Sequence, residues 1–544
     1  MDFKNKIIQW NCRGLKPNYN EILLLLSLLR PSVFCLQETF LKPDDNIVFK
    51  GYNMYNYIYK DGHKPSGGSS ILIHSSCPQR EIKLTTDLQA VAVSVTLEKE
   101  ITICSVYIPP NFSLHSQHLD SLLQQLPSPY LLVGDFNGHN MLWGCNKTNV
   151  RGEIIENFLS KNDICLMNDK SHTYLHPATG TFSSLDLSLC HPSLLLDFEW
   201  YVCDDQYGSD HFPIVIESIN FSPEDHNPKW KLNKANWEQF YLLCDQSLNI
   251  ENFNTNTDHI ADFTSSLIDI SNKCIPKTST NPKKSKPWYN DDCKGAIRQR
   301  KQALSRFSKY PTKENLNNLK IQRAKARRTI KTAKRNTWKS YVSKLNHKTP
   351  IKKVWDMIRK ISGKSKSPSY THLNTCRGTK STTKEDIANT LGETFLKNSS
   401  SRNYSEKFQN IKKQQETNKI NFKSLNNEDY NNPFNILELK DAIQKSHDTA
   451  TGPDEIHYQM LKHLPDNALL TLLHIFNDIW TTGVFPESWR LATVIPIPKP
   501  GKDHTEPTNY RPIALTSCLC KTLERMINKR LVWYLESNDL ISPI

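Results

Sequence analysis

The sequence has no long apolar stretch of the kind that enters a membrane. Its longest apolar run, Ile22 to Leu29, is far shorter than the roughly 20 residues that a helix needs to cross a bilayer. The residues before it lack the apolar stretch and small-residue cleavage site of a signal peptide. We therefore expect no membrane partner and a nuclear or cytoplasmic location.

Cysteine pairs with metal-site spacing are also absent. The 14 cysteines are scattered singly over 544 residues, except for Cys518 and Cys520, and there is no C-x-x-C pair. No set of cysteines and histidines has the spacing of a zinc site. In the expected compartment such cysteines are reduced, and we expect them mostly to fill the core.

Positive charge is scarce in the first part of the chain and abundant later. The formal net charge is +14, yet residues 1–217 hold 16 Lys and Arg against 23 Asp and Glu. Residues 283–366 hold 27 Lys and Arg against four Asp and Glu, in a helix-favouring composition. Such a segment suits contacts to nucleic-acid phosphates, and a merely solvent-exposed helical face is the alternative.

Composition divides the chain into five segments. Residues 1–217 alternate short apolar runs with turn signals and helical stretches, which is the pattern of an α/β domain. The segments after it are a polar linker (218–286) with a helical stretch near ADFTSSLIDISNKC, a basic helical segment (287–366), a flexible linker (367–433) and a third structured region (434–544).

Within the first segment, polar residues follow or flank the apolar runs that favour strands. The strand-like runs include IIQWN, SVFCLQE, GSSILIH, AVAVSVTL, ITICSVYI, YLLVGDFN and LDLSL, and the helical ones are NEILLLLSLLR and GEIIENFLSKN. We expect these polar residues at strand ends: Asn11, Glu38, Asp135, Asn137, Asp210 and His211. A single Asn or Asp at a strand end is explained as a turn former that hydrogen-bonds the backbone. Together they offer the oxygen ligands that Mg²⁺ prefers.

The motifs WNCRG, LQET, SGG, VYIPP, GDFNGH, SSLDLSL and SDHFPI follow one another between about residues 5 and 216. In this they resemble the endonuclease/exonuclease/phosphatase superfamily, and most closely its apurinic-endonuclease-like branch in non-LTR retrotransposons. The resemblance implies an α/β fold of four layers, with two β-sheets packed face to face between helices. The sequence departs from the broader pattern at Ser-Ser-Leu before Asp186, where relatives commonly have a proline or an isoleucine, neither of which does chemistry.

The resemblance also implies roles at the metal and the water. Glu38 is the principal ligand of Mg²⁺, for which Mn²⁺ could substitute, and Asn11 assists it. Asp135 orients or deprotonates the attacking water, and Asn137 holds the scissile phosphate.

Four further residues complete the implied site. His211 donates to a phosphate oxygen, and Asp186 holds that histidine in one tautomer. Asp210 supports the metal or the water. Tyr107 contacts the phosphate or steadies Asp135; the alternative for Tyr107 is a buried strand tyrosine with a satisfied hydroxyl.

Motifs after residue 450 resemble a different enzyme. TGPDEIHYQML, FPESWRLATVIPIPKPGKD and NYRPIALTSCLCKTLERMINKRL are similar to the opening of non-LTR reverse transcriptases, whose fingers hairpin meets a nucleotide triphosphate. Lys499, Lys502 and Arg511 match its basic residues, although surface charge alone would explain the two lysines. The carboxylates of the polymerase palm are not in this sequence. We therefore expect an incomplete fingers region in residues 434–544 that does not synthesise DNA itself.

These expectations combine into one function. We expect an Mg²⁺-dependent endonuclease that nicks double-stranded DNA and leaves a 3′ hydroxyl to prime reverse transcription, with element RNA bound by the basic helices. One alternative keeps the fold but acts on abasic-site DNA or another phosphoester. The other is a catalytically idle fragment that only binds nucleic acid, against which the intact set of site residues argues.

Overall fold

The computed structural model describes residues 5–59, 65–219, 228–249, 251, 258–278, 288–346, 351, 354–355, 372–375, 380–381, 383–418 and 428–541. The chain forms two compact units. The first comprises Met1–Asp225, Lys283–Thr390 and Asp503–Pro507; the second comprises His226–Pro282, Leu391–Lys502 and Thr508–Ile544. Parts of both predicted linkers lie outside the described residues, and the five predicted segment boundaries stay predictions.

The strands of the first unit are short and almost all lie before residue 219. They are β1 (Lys6–Asn11), β2 (Val33–Gln37), β3 (Tyr52–Tyr57), β4 (Ser69–His74), β5 (Gln79–Ile82), β6 (Gln89–Thr96), β7 (Glu100–Tyr107), β8 (Tyr130–Asp135), β9 (Cys165–Leu166), β10 (Tyr174–Leu175), β11 (Phe182–Ser183), β12 (Asp186–Cys190), β13 (Phe198–Val202), β14 (Ile214–Ser218), β15 (Leu373–Asn374) and β16 (Lys380–Ser381). The second unit adds β17 (Thr493–Pro498) and β18 (Tyr510–Leu515).

The helices are distributed over both units. They are α1 (Tyr19–Leu28), α2 (Ser116–Gln124), α3 (Val150–Lys161), α4 (Trp237–Ser247), α5 (His259–Cys274), α6 (Asp291–Lys309), α7 (Lys313–Val342), α8 (Lys384–Asn398), α9 (Glu406–Thr417), α10 (Ile436–Gln444), α11 (Tyr458–Lys462), α12 (Asp466–Thr482) and α13 (Cys518–Ser537). Among the described residues, no helix is both long and apolar enough to cross a membrane.

Two six-stranded sheets form the centre of the first unit. Their strand orders are β13-β14-β1-β2-β4-β3 and β5-β6-β7-β8-β12-β9. Because side chains alternate between the two faces of a strand, each sheet has an inner and an outer apolar face. Ile7 and Cys35 of one sheet and Val93 and Val133 of the other belong to a single buried cluster between the sheets.

Helices cover the outer faces of both sheets. Leu119 and Phe158, in α2 and α3, pack with Leu132 on the outside of the second sheet. On the outside of the first sheet, Leu25 of α1 packs with Ile8. The four layers predicted from the sequence, two sheets between helices, are confirmed.

The seven predicted strands and two predicted helices of this part are present as β1, β2, β4, β6, β7, β8, β12, α1 and α3. Strands β3, β5, β9, β10, β11, β13 and β14 and helix α2 were not predicted. Strand β3 shows why: its sequence, YNMYNY, has half-exposed residues along its length and no apolar alternation.

Helices α6 and α7 form an antiparallel pair that packs on the same unit. Ile297 of α6 and Ile330 of α7 join the cluster around α1. Farther along the pair, Phe307 and Leu319 enclose Phe212, which precedes β14. The apolar side chains of the basic helical segment therefore pack in the same hydrophobic clusters as residues of the nuclease-like part of the first unit.

The second unit has its own core. Phe240 of α4 and Phe263 of α5 pack with Tyr458, Phe476 and other residues up to Met526. Both helices fall in the range predicted as a polar linker, where the apolar residues of α5 recur at helical spacing but are diluted by Asp, Ser and Asn.

Candidate active site

The two sheets bring four predicted residues to one common edge. Asn11 is the last residue of β1, and Glu38 directly follows β2, its parallel neighbour. Asp135 ends β8 and is paired with Tyr107 at the end of the parallel strand β7. Carboxyl ends of parallel strands meet at one edge, and a side-chain hydrogen bond of 2.8 Å between Asn11 and Asp135 joins the edges of the two sheets.

The expectation that Asp210 and His211 also lie at a strand end is wrong. They precede β14, which begins at Ile214 and runs antiparallel to β1. The start of an antiparallel neighbour lies beside the end of its partner, which is why they reach the same edge. Asp186, the first residue of β12, faces Asp135 for the same reason.

The amide of Asn11 links two carboxylates. Its Nδ2 donates to Oε1 of Glu38 at 3.1 Å and to Oδ2 of Asp135 at 2.8 Å. Its oxygen accepts from the backbone N–H of Arg13 at 3.1 Å. In this arrangement the nitrogen of the fully buried amide, and not its oxygen, faces the carboxylates.

His211 lies between two acids. Its Nδ1 is 2.8 Å from Oδ2 of Asp186, and its Nε2 is 3.9 Å from Oδ2 of Asp135. All three side chains are buried. One ligand atom of each lies within 4.8 Å of the others. Tyr174 packs against the imidazole, with ring centroids 4.7 Å apart.

Burial and neighbouring charge act oppositely on these groups. Burial alone lowers the pKa of His211, but Asp186, with the further charges of Asp135 and Asp210, outweighs it and raises the pKa to about 10. The imidazole is therefore a cation at neutral pH. Burial raises the pKa of Asp135, an effect that His211 opposes and the charges of Asp186 and Glu38 reinforce.

Two predicted residues have left-handed backbones. The φ angles of Glu38 and Asn137 are 49° and 50°. This conformation costs a residue with a side chain about 1–3 kcal/mol and persists only where its surroundings impose it. At Asn137 a turn imposes it: its backbone N–H donates to Oδ1 of Asp135 at 3.0 Å, and its amide donates to the Ile108 carbonyl at 3.2 Å.

Tyr107 and Asp210 lie around this group. Burial raises the pKa of Tyr107, and the negative charges of Glu38 and Asp135 raise it further. Oδ2 of Asp210 lies 2.6 Å from Nη1 of Arg13. Of the eight residues predicted for the nuclease site, all lie at this edge, while their individual roles stay predictions.

Three residues that support the edge were not predicted from the sequence. Arg13 is part of WNCRG, two residues after Asn11, where the spacing alone would have suggested it. Arg151 donates to the backbone carbonyls of Ile108, Pro109, Pro110, Phe112 and Phe136. Tyr174 carries no sequence signal of its role.

The three residues predicted for a nucleotide site lie on the hairpin of β17 and β18 in the second unit. Lys499 follows β17, and its Nζ donates to the Thr508 carbonyl at 2.9 Å. Lys502 is exposed in the loop, and Arg511 is exposed in β18 opposite Ile497. The hairpin therefore carries all three of these basic residues, and their role at a nucleotide stays a prediction.

The donors at the sheet edge fit a divalent cation. Glu38 is partly exposed beside the buried carboxylate of Asp135, and carboxylate oxygens are what hard cations bind. The second oxygen of Asp186, Oδ1, is buried without a hydrogen-bond partner among the described residues. Clustered buried carboxylates repel one another, and a cation relieves that repulsion.

The sequence is similar to proteins of retrotransposons and other mobile elements. Residues 101–215 match the family described as Endonuclease-reverse transcriptase. Over 98% of its length the chain is 24% identical to the probable RNA-directed DNA polymerase from transposon X-element of Drosophila melanogaster, of which the match covers 59%. It is 25% identical, over 97% of its length, to the RNA-directed DNA polymerase from mobile element jockey of Drosophila funebris, of which the match covers 58%. The chain thus spans less than two thirds of the length of these relatives.

Among solved structures, the endonuclease domain of TRAS1, a telomere-specific non-LTR retrotransposon, is similar. The similarity covers 39% of this chain and 97% of that domain, with 19% identity and a TM-score of 0.35.

Proposed function

We propose that the sheet edge around Asp135 hydrolyses phosphodiester bonds of double-stranded DNA with Mg²⁺. The premise is that the sequence similarities of this chain make it a LINE-like retrotransposon polyprotein with an endonuclease domain. One observation carries the proposal: Asp135, Asp186 and His211 are buried and mutually in reach at the edge where Glu38 and Asn11 also lie. Hydrolysis of a phosphodiester needs such a set, namely a base for the water, a donor for the phosphate and oxygen ligands for a cation.

The chain's own residues account for deprotonation of the attacking water and for binding of the phosphate, and the departing 3′ oxygen takes its proton from bulk water. Asp135 accepts a proton from the attacking water, which the raised pKa of its carboxyl favours. The cationic imidazole of His211 donates a hydrogen bond to a phosphate oxygen, where negative charge develops. Asp186 keeps that imidazole charged and oriented. The amide of Asn137 orients the scissile phosphate, and Tyr107 steadies Asp135.

Glu38 would be the main ligand of the cation, with support from Asp210. The cation, when bound, would supply positive charge to the phosphate and to the leaving 3′ oxygen. Asn11 would serve as a direct ligand only with its amide turned over, because its nitrogen now faces Glu38. As it stands, Asn11 holds the Glu38 and Asp135 carboxylates together. Oxygen donors suit Mn²⁺ as well as Mg²⁺.

The proposed product is a nick with a 3′ hydroxyl, from which a reverse transcriptase of the same polyprotein would extend a DNA copy. Lys499, Lys502 and Arg511 would contact the nucleotide triphosphate in that polymerase. Four of the basic residues on α7 would bind DNA or element RNA through phosphates. Arg328, Lys331, Arg335 and Lys339 are exposed and recur three or four residues apart, which places them on one face of the helix.

A plasmid assay tests the proposal. The full chain should convert supercoiled plasmid to the nicked form with Mg²⁺, and DNA polymerase I should extend the nicks, which requires a 3′ hydroxyl. EDTA or Asp135→Ala should abolish nicking. Intact cutting in EDTA would refute metal dependence. Parallel reactions on an abasic duplex and on small phosphoesters would expose a different substrate class, if either were cleaved in preference to intact DNA.

A further inference from the structure

The segment that carries Asp210 and His211 is held by its backbone carbonyls. Four consecutive residues, Gly208 to His211, each offer a carbonyl that accepts a hydrogen bond from elsewhere in the unit. Trp10 donates through its indole N–H to the His211 carbonyl at 3.0 Å, and Gln206 donates to that of Asp210 at 2.7 Å. These two donors belong to the nuclease sequence itself.

The other two donors come from helix α7. The guanidinium of Arg323 donates to the carbonyl of Ser209. One turn later, Arg327 donates to the carbonyl of Gly208 at 3.3 Å and to Oδ1 of Asn18 at 2.8 Å. Helix α7 therefore has two sets of basic side chains. One set forms the exposed face, and the other, Arg323 and Arg327, contacts the segment that carries Asp210 and His211.

Ser209 connects these bonds to the site. Its hydroxyl donates to the carbonyl of Asn11 at 2.7 Å and accepts from the N–H of His211 at 3.2 Å. The carbonyl bound by Arg323 belongs to the peptide that joins Ser209 to Asp210. Rotation of that peptide would displace Asp210 and His211 relative to Asn11.

The turn at Gly208 has little room for a different backbone conformation or a larger residue. Gly208 has a φ of +100°, and a Cβ there would come within 2.7 Å of Oδ1 of Asn18. That same oxygen accepts from Arg327. The surrounding side chains therefore restrict the conformation of this turn, and Arg327 of α7 is one of them.

We infer that Arg323 is a positioning residue of the endonuclease: by fixing the Ser209 carbonyl, α7 aligns Asp210 and His211 for the reaction. The inference rests on the proposed endonuclease function. Its consequence is that the basic helical pair has two separable tasks, one face completing the active site and the other contacting nucleic acid.

Kinetics of the full chain test this division. Arg323→Ala should lower kcat for plasmid nicking by about 10- to 100-fold, the range expected when reacting groups lose alignment, while KM for DNA and its salt dependence stay within twofold of wild type. Arg323→Lys, which keeps a cationic donor, should recover part of the loss. Lys325→Ala is the matched control: it removes the same charge on the same helix, where the amine bonds Gln299 of α6 instead, and it should leave kcat unchanged.

The kinetics of Arg323→Ala distinguish a positioning role of Arg323 from a contact to phosphate. An unchanged kcat in Arg323→Ala, or a raised KM with kcat unchanged, would overturn the inference, the second result showing a plain phosphate contact. If Arg323→Ala does not fold, Arg323→Gln decides by the same criteria at a temperature where its circular dichroism matches wild type. Failure of the wild type itself to nick, with Asp135→Ala equally inactive, would count against the proposed function instead.

Discussion

The Nη2 nitrogen of Arg300, in α6, lies 2.7 Å from Oδ2 of Asp205, in the loop that precedes Asp210. Its Nη1 lies 2.9 Å from Oε1 of Glu21, in α1. Arg300 is only 1% exposed, and both acids are buried with it. A buried arginine shared by two carboxylates ties the basic helices to the layer outside the first sheet.

Removing this arginine should destabilise the first unit. Arg300→Ala leaves Glu21 and Asp205 buried without their cation, and breaking a buried ion pair in this way costs about 3–5 kcal/mol. The control is Lys301→Ala, whose partner Asp204 is exposed; an exposed pair contributes at most about 1 kcal/mol. Urea titration with hydrogen exchange measured at α1 and α6 gives the local free energy of opening. Equal losses in both variants would mean that the Arg300 pair does not stabilise the unit.

The role of Arg300 shows what the sequence could and could not predict. Strands such as β6 and β8 carry their own apolar pattern, and the motifs at their ends mark the site, so both could be read locally. In the segment from 283 to 366, with its 27 basic residues, nothing local distinguishes a cation that is buried, such as Arg300, from one that faces water. That difference depends on acids that lie 95 and 279 residues away in the sequence. The contact between Arg323 and the Ser209 carbonyl likewise joins residues 114 positions apart.

Replacing Glu38 should raise the Mg²⁺ concentration that nicking requires. Glu38→Gln keeps an oxygen for the Asn11 hydrogen bond but removes the charge that attracts a cation. The Mg²⁺ concentration for half-maximal nicking should rise at least about tenfold, since even indirect metal partners cost that much. Glu81→Gln, at an exposed ion pair with Lys83, serves as the control. A lower rate at an unchanged Mg²⁺ midpoint would show that Glu38 is not a ligand.

The exposed face of α7 should govern the salt dependence of binding. Substituting Arg328, Lys331 and Arg335 together by glutamine should lower affinity for duplex DNA. The plot of log K against log salt should flatten by roughly 0.9 for each phosphate that these side chains neutralise in the wild type. Nicking at saturating DNA should change little. Fluorescence anisotropy at several salt concentrations measures the slope, and a slope equal to that of wild type would indicate that these charges only face solvent.

The charge on His211 should set the alkaline limit of activity. Because its pKa is raised to about 10, the imidazolium and the stabilisation it brings persist through neutral pH and are lost as the pH rises through that value. Asp186→Asn removes the largest raising influence and leaves burial, which lowers the pKa. The fall in kcat should therefore begin at lower pH, with partial recovery near pH 6. A loss of the same size at every pH from about 5.5 to 9.5 would contradict this explanation.

The last prediction separates orientation of the histidine from an independent task of Asp186. If Asp186 acts only through His211, to which it is bonded at 2.8 Å, its contribution disappears once the imidazole is gone. Asp186→Asn and His211→Ala should each lower the nicking rate substantially. The double variant should be hardly slower than His211→Ala alone, because residues that act as one unit are strongly non-additive.

Single-turnover rates of the two single variants and the double variant, at saturating Mg²⁺ and DNA, give the coupling directly. DNA affinity of each variant in Ca²⁺ is the control for folding and binding, and it should stay near that of wild type. Multiplicative losses would assign Asp186 a separate task. Metal binding would then be the first candidate, because Oδ1 of Asp186 has no hydrogen-bond partner among the described residues and lies at the same edge as Asp135. In that case a higher Mg²⁺ concentration should restore part of the rate of Asp186→Asn, whereas loss of histidine orientation would not respond to the metal.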